Sequence, residues 1–250
     1  MDRRAMQAEP TADEDPEATG EPAATPEAPA APEPFEESDD DGRVTLRGTR
    51  KGGVYDGEVT AFGPSGVPAN RAVYRDGVLE GLLKVYDDDG QLVQTIPYVD
   101  GLRQGEAVTY VDGQMIVRLN YVDDVQDGHA VYYDEAGSLS ARYTYARGKL
   151  NGPAVLYDSG GAVVREMTYA NGKLQGPVTG YHASGAVAEK AFYVNGKLEG
   201  DLTRYYDTGS LLQKGVFRDG KAVEPLVTYD PSGKRLGEAP RGGAAGAKTP

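Results

Sequence analysis

Tyr169-Ala170-Asn171-Gly172-Lys173-Leu174-Gln175-Gly176 returns 24 residues later as Tyr193-Val194-Asn195-Gly196-Lys197-Leu198-Glu199-Gly200. The phase set by this pair extends through most of the chain. Reference glycines recur at Gly53, Gly77, Gly101, Gly148, Gly172, Gly196 and Gly220, with gaps of 24, 24, 47, 24, 24 and 24 residues. The gap of 47 divides into 23 and 24 when Asp124 is taken as the residue standing in for a missing glycine. A fixed period of this size signals a repeat architecture, in which each unit buries its apolar surface only against its neighbours. Eight units are expected.

Four residues beyond each reference position lies Gly57, Gly81, Gly105, Gly128, Gly152, Gly176 or Gly200, with Glu224 in the last unit. Nine residues beyond lies a first aromatic column: Phe62, Tyr86, Tyr110, Tyr133, Tyr157, Tyr181, Tyr205 and Tyr229. Thirteen beyond lies a second turn glycine, which in the third unit comes one residue early as Gly113. Twenty-one beyond lies a second aromatic column: Tyr74, Tyr98, Tyr121, Tyr145, Tyr169, Tyr193 and Phe217.

The turn residues name the secondary structure. Asp76, Asp100, Asn171, Asn195 and Asp219 precede their glycines, and Asp-Gly and Asn-Gly suit type I′ turns, whose two central residues need positive φ. Two turns per unit leave two segments too short for ordinary helices, so both read as strands. Seven of the eight residues two before the first column are β-branched, as strands prefer. The expectation is an all-β, elongated, twisted, open-ended antiparallel array of about eight hairpins, about 16 strands and roughly 70 Å long at about 4.8 Å per strand. Alternation lets both aromatic columns share one face. An apolar column of Val59, Leu83, Ala107, Ala130, Ala154, Val178, Leu202 and Leu226 points the other way.

The consensus Tyr-x-Asp/Asn-Gly-Lys-Leu-x-Gly, followed by Tyr and a second turn, resembles the MORN repeat in the variant typical of the bacterial YwqK-family antitoxins. The resemblance covers roughly residues 50–236. It implies an array of β-hairpins and a protein-binding role, often the neutralisation of a toxin, with no catalytic motif to carry over. Tyr55, Arg103 and Gln126 depart from the usual leucine of the motif.

Composition divides the chain. Residues 1–42 are rich in Ala, Pro and acids; 14 acids against Arg3 and Arg4 place −12 of the chain's −13 net charge there. Low hydrophobicity with high charge reads as a disordered tail, and residues 237–250, rich in Gly and Ala, as a second one. The repeat domain is expected over 43–236, with its edges at Val44-Thr45-Leu46 and Pro225-Leu226-Val227. Its mixed charges argue against nucleic acid as a partner, which would call for a basic stripe. No apolar run approaches the ~18 residues of a membrane span. Met1 to Gln7 has charge but no apolar stretch behind it, and is not expected to act as a signal peptide. The compartment is left open: cytoplasmic as written, periplasmic or envelope if a leader precedes this start.

Little in the chain suggests chemistry. Without cysteine there is no disulfide framework, thiol nucleophile or cysteine metal site. His129 and His182 lie 53 residues apart and read as ordinary surface residues rather than zinc ligands. Asp87-Asp88-Asp89-Gly90 fits the second hairpin turn better than a calcium loop, because the glutamate such a loop needs is missing. No Gly-x-Ser-x-Gly elbow is present. No cofactor or metal is expected.

The regular rings are expected to hold the sheet together, since each aromatic pair adds about 0.5–1.5 kcal/mol beyond burial. Tyr132, Phe192 and Tyr206 break the pattern. They are expected on the face opposite the columns, as anchors for a partner. The leading expectation is a non-enzymatic protein-binding module of antitoxin or immunity type that covers a cognate toxin. The alternative is a structural scaffold at the cell envelope or a membrane surface. Carbohydrate binding by the rings is disfavoured by the absence of Trp.

Overall fold

The structure, a computed structural model, describes residues 31–239. Among these there is no helix. Twenty-four antiparallel strand segments form one open sheet. Each strand pairs with the next in the chain, so the sheet is a continuous meander. Six segments are two residues long, such as Val78–Leu79 and Lys197–Leu198; five continue after one residue into a longer strand in the same lane, and Lys221–Ala222 after three.

The turns follow the sequence. Asp76, Asp100, Asn171, Asn195 and Asp219 have φ near +50°, and each is followed by a glycine near +80°. Each turn is stitched to the preceding unit. The Gly77, Gly101, Gly172, Gly196 and Gly220 N–H groups donate to the carbonyls of Tyr55, Leu79, Leu150, Leu174 and Leu198 at 2.7–2.9 Å. A second stitch comes from the residue just before the fourth-position glycine. Asp56, Glu80, Gln104, Asp127, Gln175 and Glu199 each accept the N–H of the first turn residue in the following unit, at 2.8–3.1 Å. In these six units a position that varies in the consensus supplies a side-chain oxygen. At the opposite turns Asp87, Asp134, Asp158 and Asp230 accept backbone N–H groups from two and four residues ahead. Asp87 is thus a turn cap.

The two aromatic columns lie on opposite faces, contrary to the common face expected from alternation. The cause is a β-bulge in each unit. Phe62 pairs with Pro68 while Ala61 pairs with Asn70, and the same slip recurs at Tyr86, Tyr133, Tyr157, Tyr181, Tyr205 and Tyr229. One extra residue in the returning strand moves its whole side-chain set to the other face. The pairs Val59–Ala72, Ala154–Met167 and Val178–Ala191 then join the apolar column to the second aromatic column.

That shared face is the core. Ala130 is 0% and Phe217 2% exposed, with Ala154, Val178, Leu198, Leu202, Tyr143, Met167 and Tyr169 also buried. No second layer is present among the described residues, so the sheet's own side chains cover one another. Leu150, Leu174 and Leu198, the motif leucines, pair directly with Tyr145, Tyr169 and Tyr193. The core face turns polar along one margin, where Glu189 bridges Arg165 (3.3 Å) and Arg204 (2.9 Å) opposite the bare backbone of Gly180.

The sheet also begins earlier and ends later than expected. Glu33–Ser38 is a strand paired with Val44–Lys51, so part of the segment read as a disordered acidic tail is ordered. This is a partial ninth unit. Asp39 caps its own turn as Asp87 does, and Gly42 has φ 78°. Phe35 stacks on Tyr55, with ring centroids 5.3 Å apart, and the Arg50 guanidinium lies 3.9 Å over Phe35. Glu37 pairs with Arg50, and Glu36 with Arg47 at 2.8 Å. At the other end Arg235–Ala239 pairs with Leu226–Tyr229. The outermost strands are therefore Glu33–Ser38 and Arg235–Ala239, and the segments 44–46 and 225–227 are interior. The remainder of the two segments read as tails, residues 1–30 and 240–250, lies outside the described residues.

Candidate binding face

The face opposite the core carries the first aromatic column, and its rings are half-buried. Each ring lies diagonally across from a residue of the preceding hairpin, and that residue is most often a cation. Arg47 lies over Phe62 (5.5 Å), Arg71 over Tyr86 (5.9 Å) and Lys214 over Tyr229 (6.0 Å). Arg118 bonds Glu106 at 2.6 Å, and its guanidinium is pushed up by Glu106 and then by Tyr133. At the same place in a later unit stands Glu166, which accepts the Tyr181 hydroxyl at 2.7 Å and raises that phenol's pKa. The face thus repeats a ring with a charged neighbour, unit after unit. Cations over rings contribute about 0.5–1 kcal/mol at exposed sites, enough to orient the rings.

Phe192 lies on this face and is 44% exposed. It pairs with Pro177, and beside it is a depression of about 510 Å³ lined also by Lys190, Glu199, Gly200, Asp201 and Thr203. Val73 and Val216 are exposed at the same place in other hairpins, and Leu82 at the place of Pro177. A second depression, about 410 Å³, lies between Arg43, Arg47, Phe62 and Pro64.

The three residues singled out by sequence do not form one site. Tyr132 is on the core face; its ring meets Tyr143 edge-on at 5.8 Å, and desolvation raises its pKa. The alternation that places Phe192 outward places Tyr132 inward, because the bulge separates the two strands' parities. Tyr206 is in a turn, and its hydroxyl donates to the Tyr229 carbonyl at 2.9 Å. His182 makes the equivalent bond to the Tyr205 carbonyl, also at 2.9 Å. Both occupy the slot that holds a capping aspartate in other units, and both link their turn to the next unit instead. Tyr206 is thus explained by the repeat, and Phe192, expected opposite both columns, lies opposite the second column but on the same face as the first. Sequence reasoning missed the cation column. Its signal was present as Arg47, Arg71, Arg118, Arg142, Lys190 and Lys214 in one phase of the repeat.

Among the described residues no cluster of three His, Cys, Asp or Glu side chains could hold a metal ion, and no helix is long and apolar enough to cross a membrane.

Residues 79–100, 174–195 and 198–219 match the sequence profile of the MORN repeat variant. The chain therefore carries MORN-variant repeats at these three places. No curated protein sequence matches the chain. Solved structures with partial similarity include the GtfA/B complex bound to UDP and GlcNAc (17% identity, 43% of this chain and 21% of that one, TM-score 0.21). TarM is similar at 14% identity over 52% of this chain and 20% of its own, with TM-score 0.24. A porin-like protein from Bacteroides uniformis is similar at 12% identity over 62% of this chain and 79% of that one, with TM-score 0.20. The chain spans about a fifth of the length of the first two. Superpositions this partial carry no argument about function.

Proposed function

We propose that the protein is a non-enzymatic binding module of antitoxin or immunity type, and that its outer face covers the working surface of a partner protein. The observation that carries this reading is Phe192, an exposed ring beside an open depression, set in a face of half-exposed rings flanked by cations. Aromatic and arginine side chains that become desolvated on contact are the residues that dominate protein interfaces. A rigid sheet presenting them at fixed spacing needs little ordering on binding, which favours affinity. Of the two histidines, His182 is tied to a backbone carbonyl and His129 is exposed.

The test is co-expression with the protein encoded beside its gene, followed by co-purification and calorimetry. Phe192→Ala should weaken binding at least about tenfold, or about 1.4 kcal/mol, without changing the melting temperature. Tyr132→Ala and Tyr206→Ala should instead lower the melting temperature. Failure of the neighbouring protein to co-purify, together with no relief of its toxicity, would refute the antitoxin reading.

A further inference from the structure

The turns at the reference positions lie along one margin of the sheet, each stitched to the one before it. The residue after each turn glycine occupies one repeated slot, filled in order by Val54, Val78, Leu102, Val125, Lys149, Lys173, Lys197 and Lys221. In every unit the slot pairs across its own hairpin and keeps the same turn geometry. Side chains in it lie against the next turn: Val54 and Val78 are 3.3 and 3.4 Å from the Cβ position of Gly77 and Gly101, and Lys173 and Lys197 are 3.7 and 3.8 Å from those of Gly196 and Gly220. The last four units show that lysine serves the fold in this slot. The aliphatics of the first four are therefore not demanded by the repeat, yet Val99, Leu102, Val122 and Val125 are each 41–47% exposed.

Charge follows the same division in the four turns nearest the midpoint. The four-residue turns Val99–Leu102 and Val122–Val125 carry formal charges of −1 and −2. The next two, Ala146–Lys149 and Ala170–Lys173, carry +2 and +1. Asp124 is held by Arg103, but the Asp100 and Asp123 carboxylates have no partner among the described residues, nor do the Lys149 and Lys173 amines. Across these four central turns the margin is apolar and acidic on one side of the midpoint and basic on the other; the outer turns Lys51–Val54, Arg75–Val78, Val194–Lys197 and Arg218–Lys221 carry +1, 0, +1 and +1.

We infer that this margin binds a second copy of the chain, antiparallel, about a two-fold axis between the Asp123–Asp124 and Arg147–Gly148 turns. A two-fold contact brings a patch onto itself in reverse order. Reversal sets the −2 turn against the +2 turn and the −1 turn against the +1 turn. Asp123 then faces Arg147 and Lys149, and Asp100 faces Lys173. The lysine stems cover the exposed valines and Leu102 while their amines reach the acids. The same pattern set parallel would oppose like charges, so it selects orientation as well as partner.

The test is sedimentation equilibrium of the full chain. The wild type should give twice its 26.6 kDa mass, and should dissociate as salt is raised to about 1 M, where screening acts within about 3 Å. Lys149→Glu with Lys173→Glu should be monomeric, and so should Asp100→Lys with Asp123→Lys. Each should show the wild-type circular dichroism, since all four side chains are exposed. Mixed together, the two variants restore opposite charges between positions 100 and 173 and between positions 123 and 149, and should form a heterodimer. Leu102→Ser, which leaves all charges in place, should weaken the wild-type dimer at least about tenfold. A wild-type chain that is monomeric at about 100 μM in low salt would overturn the inference, whether or not its lysines then bind anionic vesicles. Dimers unaffected by either charge reversal would overturn it too.

Discussion

Arg103 holds Asp124 in a conformation that the other units give to glycine. The Arg103 backbone N–H and Nε both donate to Asp124 Oδ1, at 3.0 and 2.9 Å, and its terminal nitrogen donates to the Asp124 carbonyl at 2.8 Å. Asp124 has φ 66°, in the left-handed region, and its N–H still makes the inter-unit stitch, to the Arg103 carbonyl. Arg103 replaces the leucine of the motif, and its guanidinium lies 4.3 Å over Tyr121. Two departures from the consensus, 21 residues apart, are thus one compensating pair. The arginine also lowers the Asp124 pKa, by its side-chain hydrogen bonds first.

This pair should couple in a double-mutant cycle. Arg103→Leu should lower the melting temperature, because Asp124 keeps its disfavoured φ without its holder. Adding Asp124→Gly should recover most of the loss, since glycine takes positive φ freely. Strictly additive shifts would mean that Arg103 does not hold the turn.

Alkaline pH should unfold the sheet through its tyrosines. Desolvation raises the pKa of Tyr74, Tyr132, Tyr143, Tyr169 and Tyr193 on the core face. The fold favours the neutral phenol, so this stabilisation is fully present below the unfolded value of about 10 and is lost as pH rises through the higher folded values. Urea midpoints should therefore fall above about pH 10, and less steeply in Tyr143→Phe with Tyr169→Phe. Identical slopes in the variant and the wild type would count against the tyrosines as the source.

The two aromatic columns should differ in energetic weight. Phe217, 2% exposed on the core face, should cost about 3–5 kcal/mol when cut to alanine. Tyr157, half-buried on the outer face, should cost about 1 kcal/mol, nearer a typical single substitution. Chemical denaturation of the two variants checks this, and comparable losses would put the columns on equivalent faces.

Truncation should reveal the first strand. A chain starting at Pro32 keeps Glu33–Ser38, whereas one starting at Arg43 loses Phe35 from its stack with Tyr55 and Arg50, and Glu37 from its pair with Arg50. The shorter chain should melt lower and aggregate more readily, because the long strand Val44–Lys51 becomes the outermost one. Equal melting temperatures would show that the strand adds nothing to the array.

Much of this architecture was legible because a repeat displays its constraints many times over. Asp-Gly and Asn-Gly at one phase gave the type I′ turns, since positive φ admits few residue types there. The phase also extended further than the aromatics indicated. Asp39-Asp40-Asp41-Gly42 repeats the turn Asp87-Asp88-Asp89-Gly90, but Ser38 and Arg50 stand where rings would have announced a ninth unit.

What the sequence determined by itself is local: the period, the turns, the strands and the parity within each strand, all set by backbone sterics and side-chain alternation. The tertiary structure alone decided how those parities combine. A single extra residue in each returning strand, at Ala69, Ser140 or Val164 for example, sets the two aromatic columns back to back. The same slip buries Tyr132 beside Tyr143 and leaves Phe192 in the open. A bulge has no fixed residue signature, because its position follows from pairing between strands, and pairing is a property of the folded sheet.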